Sequence, residues 1–314
     1  MARIVISKPK IIFFGTPEIA VPTLKAIHKH YGIVAVVTNP DKEQGRGKKL
    51  LPCEVKSAAL DLNIPTIEPE DLKSPDFAKQ LELLQPDIFV VFAYKILPSW
   101  ILSIPSIGSF NIHPSLLPKY RGAAPINHAI INGEKITGIT TFLMEEKVDA
   151  GGILLQEQIE IPNDATAGDL TNIVKNKAPD IAIRTIQLLL SGNYQVIKQD
   201  NSLVTKAPKL FKENCQIDFN KPAEVVKNFI NGVSPEPGGW FLWNNLQVKI
   251  YRATLNNQTE GLKPKEFLIK NKNFLVGCSD KEIRVLEIQF PTKKMMKITD
   301  FLNGYKGPTS GFFD

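Results

Sequence analysis

Short apolar runs alternate with amphipathic stretches of helical length from Ile11 to about Leu190. Such alternation is the pattern of a parallel sheet covered by helices. It predicts an α/β domain with strands at Ile11–Phe14, Ile33–Thr38, Ile88–Ala93, Ser109–Ile112, Ile139–Met144 and Ile153–Ile161, and helices in the gaps. Pro22 cannot sit inside a helix without clashing with the preceding turn. The first helix is therefore expected to begin there and run to about Lys29, after a tight turn over Pro17–Ala20.

Past Leu190 the pattern changes. Residues 192–214 mix Gly, Asn, Lys and Pro with little periodicity, as in chain that crosses a surface. Beyond them Trp240–Trp243, Gln247–Tyr251, Glu266–Ile269, Asn273–Cys278 and Ile283–Glu287 are short, β-rich and separated by turn residues, with one helix, Pro222–Asn231, ahead of them. That spacing predicts a small β-barrel or sandwich. The expected organisation is an α/β domain over 1–191, a linker over 192–206 and a β domain over 207–314.

The chain has 314 residues, 43% hydrophobic and 22% charged, the balance of a folded globular protein with room for two cores. Its longest apolar stretches, such as Ile88–Ala93 and Ile186–Leu190 around Gln187, fall far short of the roughly 20 residues of a bilayer span. Met1–Lys10 leaves no room for a secretory or transit segment before the first strand, so a cytoplasmic protein without membrane association is expected. Cys53, Cys215 and Cys278 are too far apart for a C-x-x-C pair, and none of the four histidines stands at ligand spacing from a cysteine, so no metal is expected. Gly15-Thr16-Pro17 lacks the Gly-x-Gly-x-x-Gly turn of dinucleotide enzymes, which disfavours hydride transfer. The net charge is +6, and residues 207–314 hold 16 Lys and Arg against 11 Asp and Glu. A polyanionic partner of the β domain and a plain solvated surface both account for that bias.

The densest candidate site is Asn111-Ile112-His113-Pro114-Ser115-Leu116-Leu117-Pro118. It directly follows a strand and so sits at the carboxyl edge of the sheet, where α/β proteins place ligands. Asn111 and His113, two residues apart on extended chain, project from one face and can converge on one small polar atom. By spacing alone a lone histidine on a strand edge is more often a packed, hydrogen-bonded residue than a catalyst. Asp149, in Val148-Asp149-Ala150-Gly151-Gly152, reads alone as a turn residue. Arg46, Lys48 and Lys49 lie in Asn39–Leu50, an expected exposed loop. Alone they read as a solvated charge run, although a loop of that length reaches about 20 Å and could set cations against phosphates.

These segments occur in the order found in folate-dependent formyltransferases, together with Phe14-Gly15-Thr16-Pro17, Gln44-Gly45-Arg46-Gly47-Lys48-Lys49-Leu50, Tyr120-Arg121-Gly122-Ala123-Ala124-Pro125-Ile126 and Asp300-Phe301-Leu302-Asn303-Gly304. The chain resembles that family over nearly its whole length. The resemblance implies a Rossmann-like parallel-sheet formyltransferase domain followed by a small OB-like β-barrel that binds tRNA. It implies 10-formyltetrahydrofolate as formyl donor, the amine of initiator methionyl-tRNA as acceptor, and a monomeric enzyme. The residues it implies are Asn111, His113 and Asp149 as catalytic trio, Ser115, Leu116, Leu117 and Pro118 in the folate pocket, and Arg46, Lys48 and Lys49 against the acceptor stem. In that chemistry the neutral amine attacks the formyl carbon, Asn111 and His113 donate to the oxyanion, and Asp149 holds the imidazole and favours its charged form.

Two other readings stay open: the same transfer to a sugar nucleotide or glycinamide ribonucleotide, and a non-catalytic tRNA-binding protein on the same fold. The basic loop and basic β domain favour tRNA over the first, and the intact trio disfavours the second. Several positions depart from the family's pattern. Lys95 stands where a glycine usually follows Ala93-Tyr94, Lys147 and Gly152 replace a glycine and an acidic residue around Asp149, and Asn231 and Glu236 replace an arginine and a tryptophan.

Overall fold

The computed structural model describes residues 8–44 and 49–314. The chain forms two compact units. One holds residues through Gly122 with Gly138–Ile159 and Asn172–Lys206, and the other holds Ala123–Thr137, Glu160–Thr171 and Ala207–Asp314.

The strands of the first part of the chain are β1 (Ile11–Gly15), β2 (Ala35–Val37), β3 (Lys42–Gln44), β4 (Lys49–Leu51), β5 (Thr66–Ile67), β6 (Ile88–Phe92), β7 (Gly108–His113), β8 (Ile136–Leu143) and β9 (Ile153–Glu160). Seven of them form one sheet in the order β5-β2-β1-β6-β7-β8-β9, parallel from β5 to β7 and antiparallel between β7 and β8. Every residue of β1 and β6 is buried, as the unbroken apolar runs of their sequences require of strands covered on both faces. Gly15 closes β1 where a Cβ would lie 2.8 Å from the Phe13 ring and 3.1 Å from the Phe92 carbonyl oxygen.

The helices are α1 (Val21–Tyr31), α2 (Glu54–Asp61), α3 (Pro75–Leu83), α4 (Ser99–Leu102), α5 (Pro125–Ile131), α6 (Ala167–Ser191), α7 (Ala223–Gly232) and α8 (Ile298–Gly304). The first starts one residue earlier than expected, with Pro22 second, and the turn before it is a short 3-10 helix, Glu18–Ala20. Among the described residues no helix is long and apolar enough to cross a membrane.

The segment expected as a loop, Asn39–Leu50, is a hairpin. Strands β3 and β4 pair antiparallel, with Lys42 opposite Leu51 and Gln44 opposite Lys49. Neither strand carries an apolar alternation, so nothing in the pattern announces them. Arg46 and Lys48 lie outside the described residues, and Lys49 is the first residue of β4. The base of the hairpin is tied down by Lys56 on α2, whose ammonium donates to Asp41 Oδ1 at 2.6 Å and Glu68 Oε2 at 2.9 Å.

The second unit is built on an antiparallel sheet of β10 (Gly239–Trp243), β11 (Leu246–Leu255), β12 (Glu266–Lys270), β13 (Asn273–Gly277), β14 (Glu282–Gln289), β15 (Met296–Lys297) and β16 (Ser310–Phe312). The order is β10-β11-β14-β13-β12-β16, with β15 paired to β14. The sheet curls until Asp314 N, just past β16, donates to the Leu242 carbonyl on β10 at 3.3 Å. This curled half-barrel is the barrel form of the two, barrel or sandwich, that the strand spacing predicts. Its interior is aromatic, with Trp243 stacked on Phe274 at 5.6 Å and Phe267 on Phe313 at 5.2 Å. Helix α8 and strands β15 and β16 are additions to the expected elements, each too short to show a period of its own.

Asn231, one of the departures from the family's pattern, is a structural residue. It is buried at the end of α7, and its amide mimics a neighbouring strand. Nδ2 donates to the Ala253 carbonyl at 3.0 Å and Oδ1 accepts from the Ala253 N–H at 2.9 Å, beside the irregular register of β11 at Arg252. Glu236, the other departure in this unit, is exposed. Asn231→Ala would leave both backbone groups of Ala253 buried without partners, at about 1–3 kcal/mol for each. Urea unfolding of the whole chain is expected to show a lower midpoint for this variant, and an unchanged midpoint would show that water replaces the amide.

Candidate active site

Strand β7 carries Asn111 and His113 to the carboxyl end of the sheet's parallel portion. Its neighbours are β6, where Asn111 pairs with Val91, and β8, where Asn111 pairs with Phe142 and His113 with Thr140. Asn111 is half-buried, and its side-chain amide has no hydrogen-bond partner among the described residues. His113 is 4% exposed, with its ring edge-on to Phe142 at 6.5 Å.

The loop after β7 is held from below by one hydroxyl. Thr140 Oγ1 donates to the Ser115 carbonyl at 2.6 Å and accepts from Leu117 N at 3.1 Å. Gln156 on β9 adds Nε2 donations to Thr140 Oγ1 at 2.9 Å and to the Leu117 carbonyl at 2.8 Å. Ser115 and Leu117 are buried in this support, and the Ser115 hydroxyl donates to the Lys119 carbonyl at 2.7 Å. Leu116 and Pro118 are half-buried. Leu116 lies over Gly138, where a Cβ would come within 2.4 Å of its Cδ2.

Asp149 enters from the turn between β8 and β9 in a left-handed conformation, φ 52°. Gly151 is the steric condition for that turn, since a Cβ there would lie 1.7 Å from the Leu143 carbonyl oxygen. The carboxylate accepts from Gly122 N through Oδ2 at 2.9 Å, and the same oxygen stands 3.9 Å from His113 Nδ1. Asn111, His113 and Asp149, distant in sequence, thus meet within one unit. Lys147 is exposed on that turn, and Gly152 gives room to Val196, whose Cγ1 would be 1.9 Å from a Cβ. Lys95 is exposed.

Three supporting residues escaped the sequence reading. Thr140 and Gln156 sit on strands where a polar residue looks like ordinary alternation. Gln199 lies in the segment expected as a linker, yet its amide bridges the Asp149 turn to Arg121. A glutamine in an aperiodic stretch carries no sequence signal of burial.

The chain matches the formyl transferase model over residues 9–186 and the formyl transferase C-terminal domain over 209–306. The chain belongs to the formyl transferase family. It is 41% identical over 298 residues to the methionyl-tRNA formyltransferase of Clostridium novyi (strain NT), covering 94% of this chain and 96% of that one. To the enzyme of the same name from Chlorobium limicola it is 40% identical over 307 residues, covering 95% and 96%. Among solved structures it resembles WlaRD, a sugar 3N-formyl transferase crystallised in the presence of dTDP and 5-N-formyl-THF, with 25% identity, a TM-score of 0.67, and coverage of 91% of this chain and 99% of that one. The family resemblance read from the motifs is thereby borne out.

The electrostatics set the resting state of His113. His113 Nε2 lies 2.9 Å from the Tyr120 carbonyl, and since a carbonyl only accepts, Nε2 carries the hydrogen of the neutral ring. Nδ1 is then the free lone pair on the side of Asp149. Burial pushes the imidazole below its ordinary value; Asp149 and the Tyr120 carbonyl pull it up, and the Arg121 cation pushes it further down. Desolvation outweighs the carboxylate because the buried ring cannot share its charge with water. The resting His113 is neutral rather than charged. Because its folded value lies below the unfolded one, the resulting stabilisation is present above the unfolded value near 6.5 and is lost as pH falls from there through the folded value. An NMR titration of the histidine Cε1–H resonances is expected to place His113 below the ordinary histidine value and to move it lower still in Asp149→Asn. A rise in that variant would mean that the carboxylate does not face the ring.

Proposed function

We propose that this enzyme transfers the formyl group of 10-formyltetrahydrofolate to the free amino group of methionyl-tRNA, producing the formylated initiator of translation. The observation that carries this reading is the length of the likeness to the two methionyl-tRNA formyltransferases, which runs through the C-terminal segment as well as the first. WlaRD, with its sugar substrate, shares less of the sequence, and its crystals with a formyl folate support a folate as co-substrate here. In this reading residues 1–191 are the catalytic domain, 192–206 the linker and 207–314 the tRNA-binding domain, consistent with the basic excess of that last segment.

Catalysis follows from the trio. The unpartnered amide of Asn111 donates to the formyl oxygen as it becomes an oxyanion. The amine forms its bond to the formyl carbon, and the proton it sheds is taken by the free Nδ1 of His113. The imidazolium so made is stabilised by the nearby Asp149 carboxylate. The bond from the formyl carbon to the folate nitrogen then breaks, and that nitrogen receives the proton. Leu116 and Pro118 form the accessible wall of the folate pocket, with Ser115 and Leu117 holding it in shape.

Arg46, Lys48 and Lys49 neutralise phosphates of the acceptor stem. Formyl transfer from the folate donor should be followed on charged initiator tRNA, with an amino-sugar nucleotide and glycinamide ribonucleotide as rival acceptors. Transfer to tRNA alone is expected; preference for either small acceptor would sink the proposal. His113→Ala and Asn111→Ala should each lower kcat by roughly 10²–10³-fold with little change in tRNA affinity, as for loss of one oxyanion donor or a general base. Activity equal to the parent in either would remove that residue from the chemistry. Replacing Arg46, Lys48 and Lys49 together by alanine should flatten the slope of log affinity against log salt by about 2–3 for tRNA, since each phosphate contact releases counterions. An unchanged slope would make these three residues bystanders.

A further inference from the structure

The segment 192–206 is fastened at both ends to the elements that carry the trio. Ile197 exchanges backbone hydrogen bonds with Ile153 at the start of β9, at 2.8 and 2.9 Å. Thr205 accepts from Tyr120 N through Oγ1 at 2.8 Å and from Arg121 N through its carbonyl at 2.9 Å. Between these anchors Gln199 is 5% exposed. Its Nε2 donates to the carbonyls of Asp149 at 3.0 Å and Gly151 at 2.7 Å, and its Oε1 accepts from Arg121 Nε at 3.1 Å and Nη2 at 2.6 Å. Both hydrogens and both lone pairs of one amide are used, the full capacity of the group.

The two partners of that amide act on His113 in opposite senses, because the Asp149 carboxylate favours the charged ring and the Arg121 cation opposes it. Asp149 also holds a left-handed φ of 52°, a conformation that a residue with a side chain keeps only where its surroundings fix it. Clamping the carbonyls of Asp149 and Gly151 fixes it. We propose that Gln199 is a positioning residue of the transfer centre: through one neutral amide it holds the Asp149 turn and the Arg121 guanidinium at fixed places relative to each other, and so relative to His113. The proposal rests on Asn111, His113 and Asp149 being the catalytic trio.

Gln199→Glu and Gln199→Met, in the full chain, test it, each alone and combined with Asp149→Asn. Glutamate keeps the length and still accepts from Arg121, but when ionised it has no hydrogen for the two carbonyls; protonated, it regains one. The titratable and charged groups around that position are Arg121 and the neutral His113 from β7 and its loop, Asp149 from the turn after β8, and Lys198 and Asp200 on its own segment. Both single variants should lose at least about tenfold in kcat while folate affinity by titration stays within about twofold, as for displacement of a catalytic group rather than loss of binding. The ratio of the Glu variant's kcat to the parent's should recover as pH falls, and the Met variant's ratio should stay flat. In the Asp149→Asn background neither change should cost more than about twofold further, since residues acting through one another are not additive. Parent-like kcat in Asp149→Asn would remove the catalytic reading itself. A severely impaired Asp149→Asn beside Gln199 variants with the parent's kcat and pH profile would remove only the role of Gln199. Loss of folding in both Gln199 variants would also overturn the proposal, because the amide would then serve the stability of the chain.

Discussion

The Thr140 hydroxyl is the atom on which the candidate site depends. A buried hydroxyl has one hydrogen and two lone pairs, and here it gives the hydrogen to Ser115 and takes hydrogens from Leu117 and Gln156. The backbone after β7 turns away from the sheet and would otherwise bury its polar groups without partners, which a low-dielectric interior penalises heavily. By meeting those groups from β8, the hydroxyl lets the loop lie close against the sheet. That closeness is what buries His113 and leaves Asn111 at the edge.

Burial then decides the chemistry available. An imidazole in water would be partly charged near neutrality, but one shut away from water and bonded to the Tyr120 carbonyl rests neutral with a fixed tautomer. The same enclosure makes Asp149 more effective once a proton arrives, because a carboxylate at 3.9 Å is poorly screened in a buried setting. Suppressing the charge at rest and favouring it during transfer are two results of one exclusion of water.

Much of this was legible in the residue pattern, for reasons that differ from element to element. The unbroken apolar runs of β1 and β6 announce a two-sided sheet, and Asn111-x-His113 ends strand β7 at the carboxyl edge, where ligands bind. The hairpin of β3 and β4 was hidden because both of its strands are three residues long and neither alternates apolar with polar positions. The second helix of the β domain, α8, is seven residues long and shows less than two turns of period. The support of the site was hidden for a deeper reason: Thr140, Gln156 and Gln199 act through what they touch across 16 to 78 residues of sequence, and composition holds no trace of that. The charge state of His113 belongs in the same class, since burial had to be measured before it could be weighed against the carboxylate.

Gly151 separates two kinds of necessity. With the Leu143 carbonyl oxygen 1.7 Å from where a Cβ would stand, no other residue fits that point of the turn, whatever the neighbouring carboxylate does. The path of the chain past His113 is therefore laid down by space, and the reactivity by the side chain two positions earlier. A side chain at Gly151 would therefore displace the carboxylate by moving the chain that carries it, whereas a change at Asp149 would alter the group that faces His113.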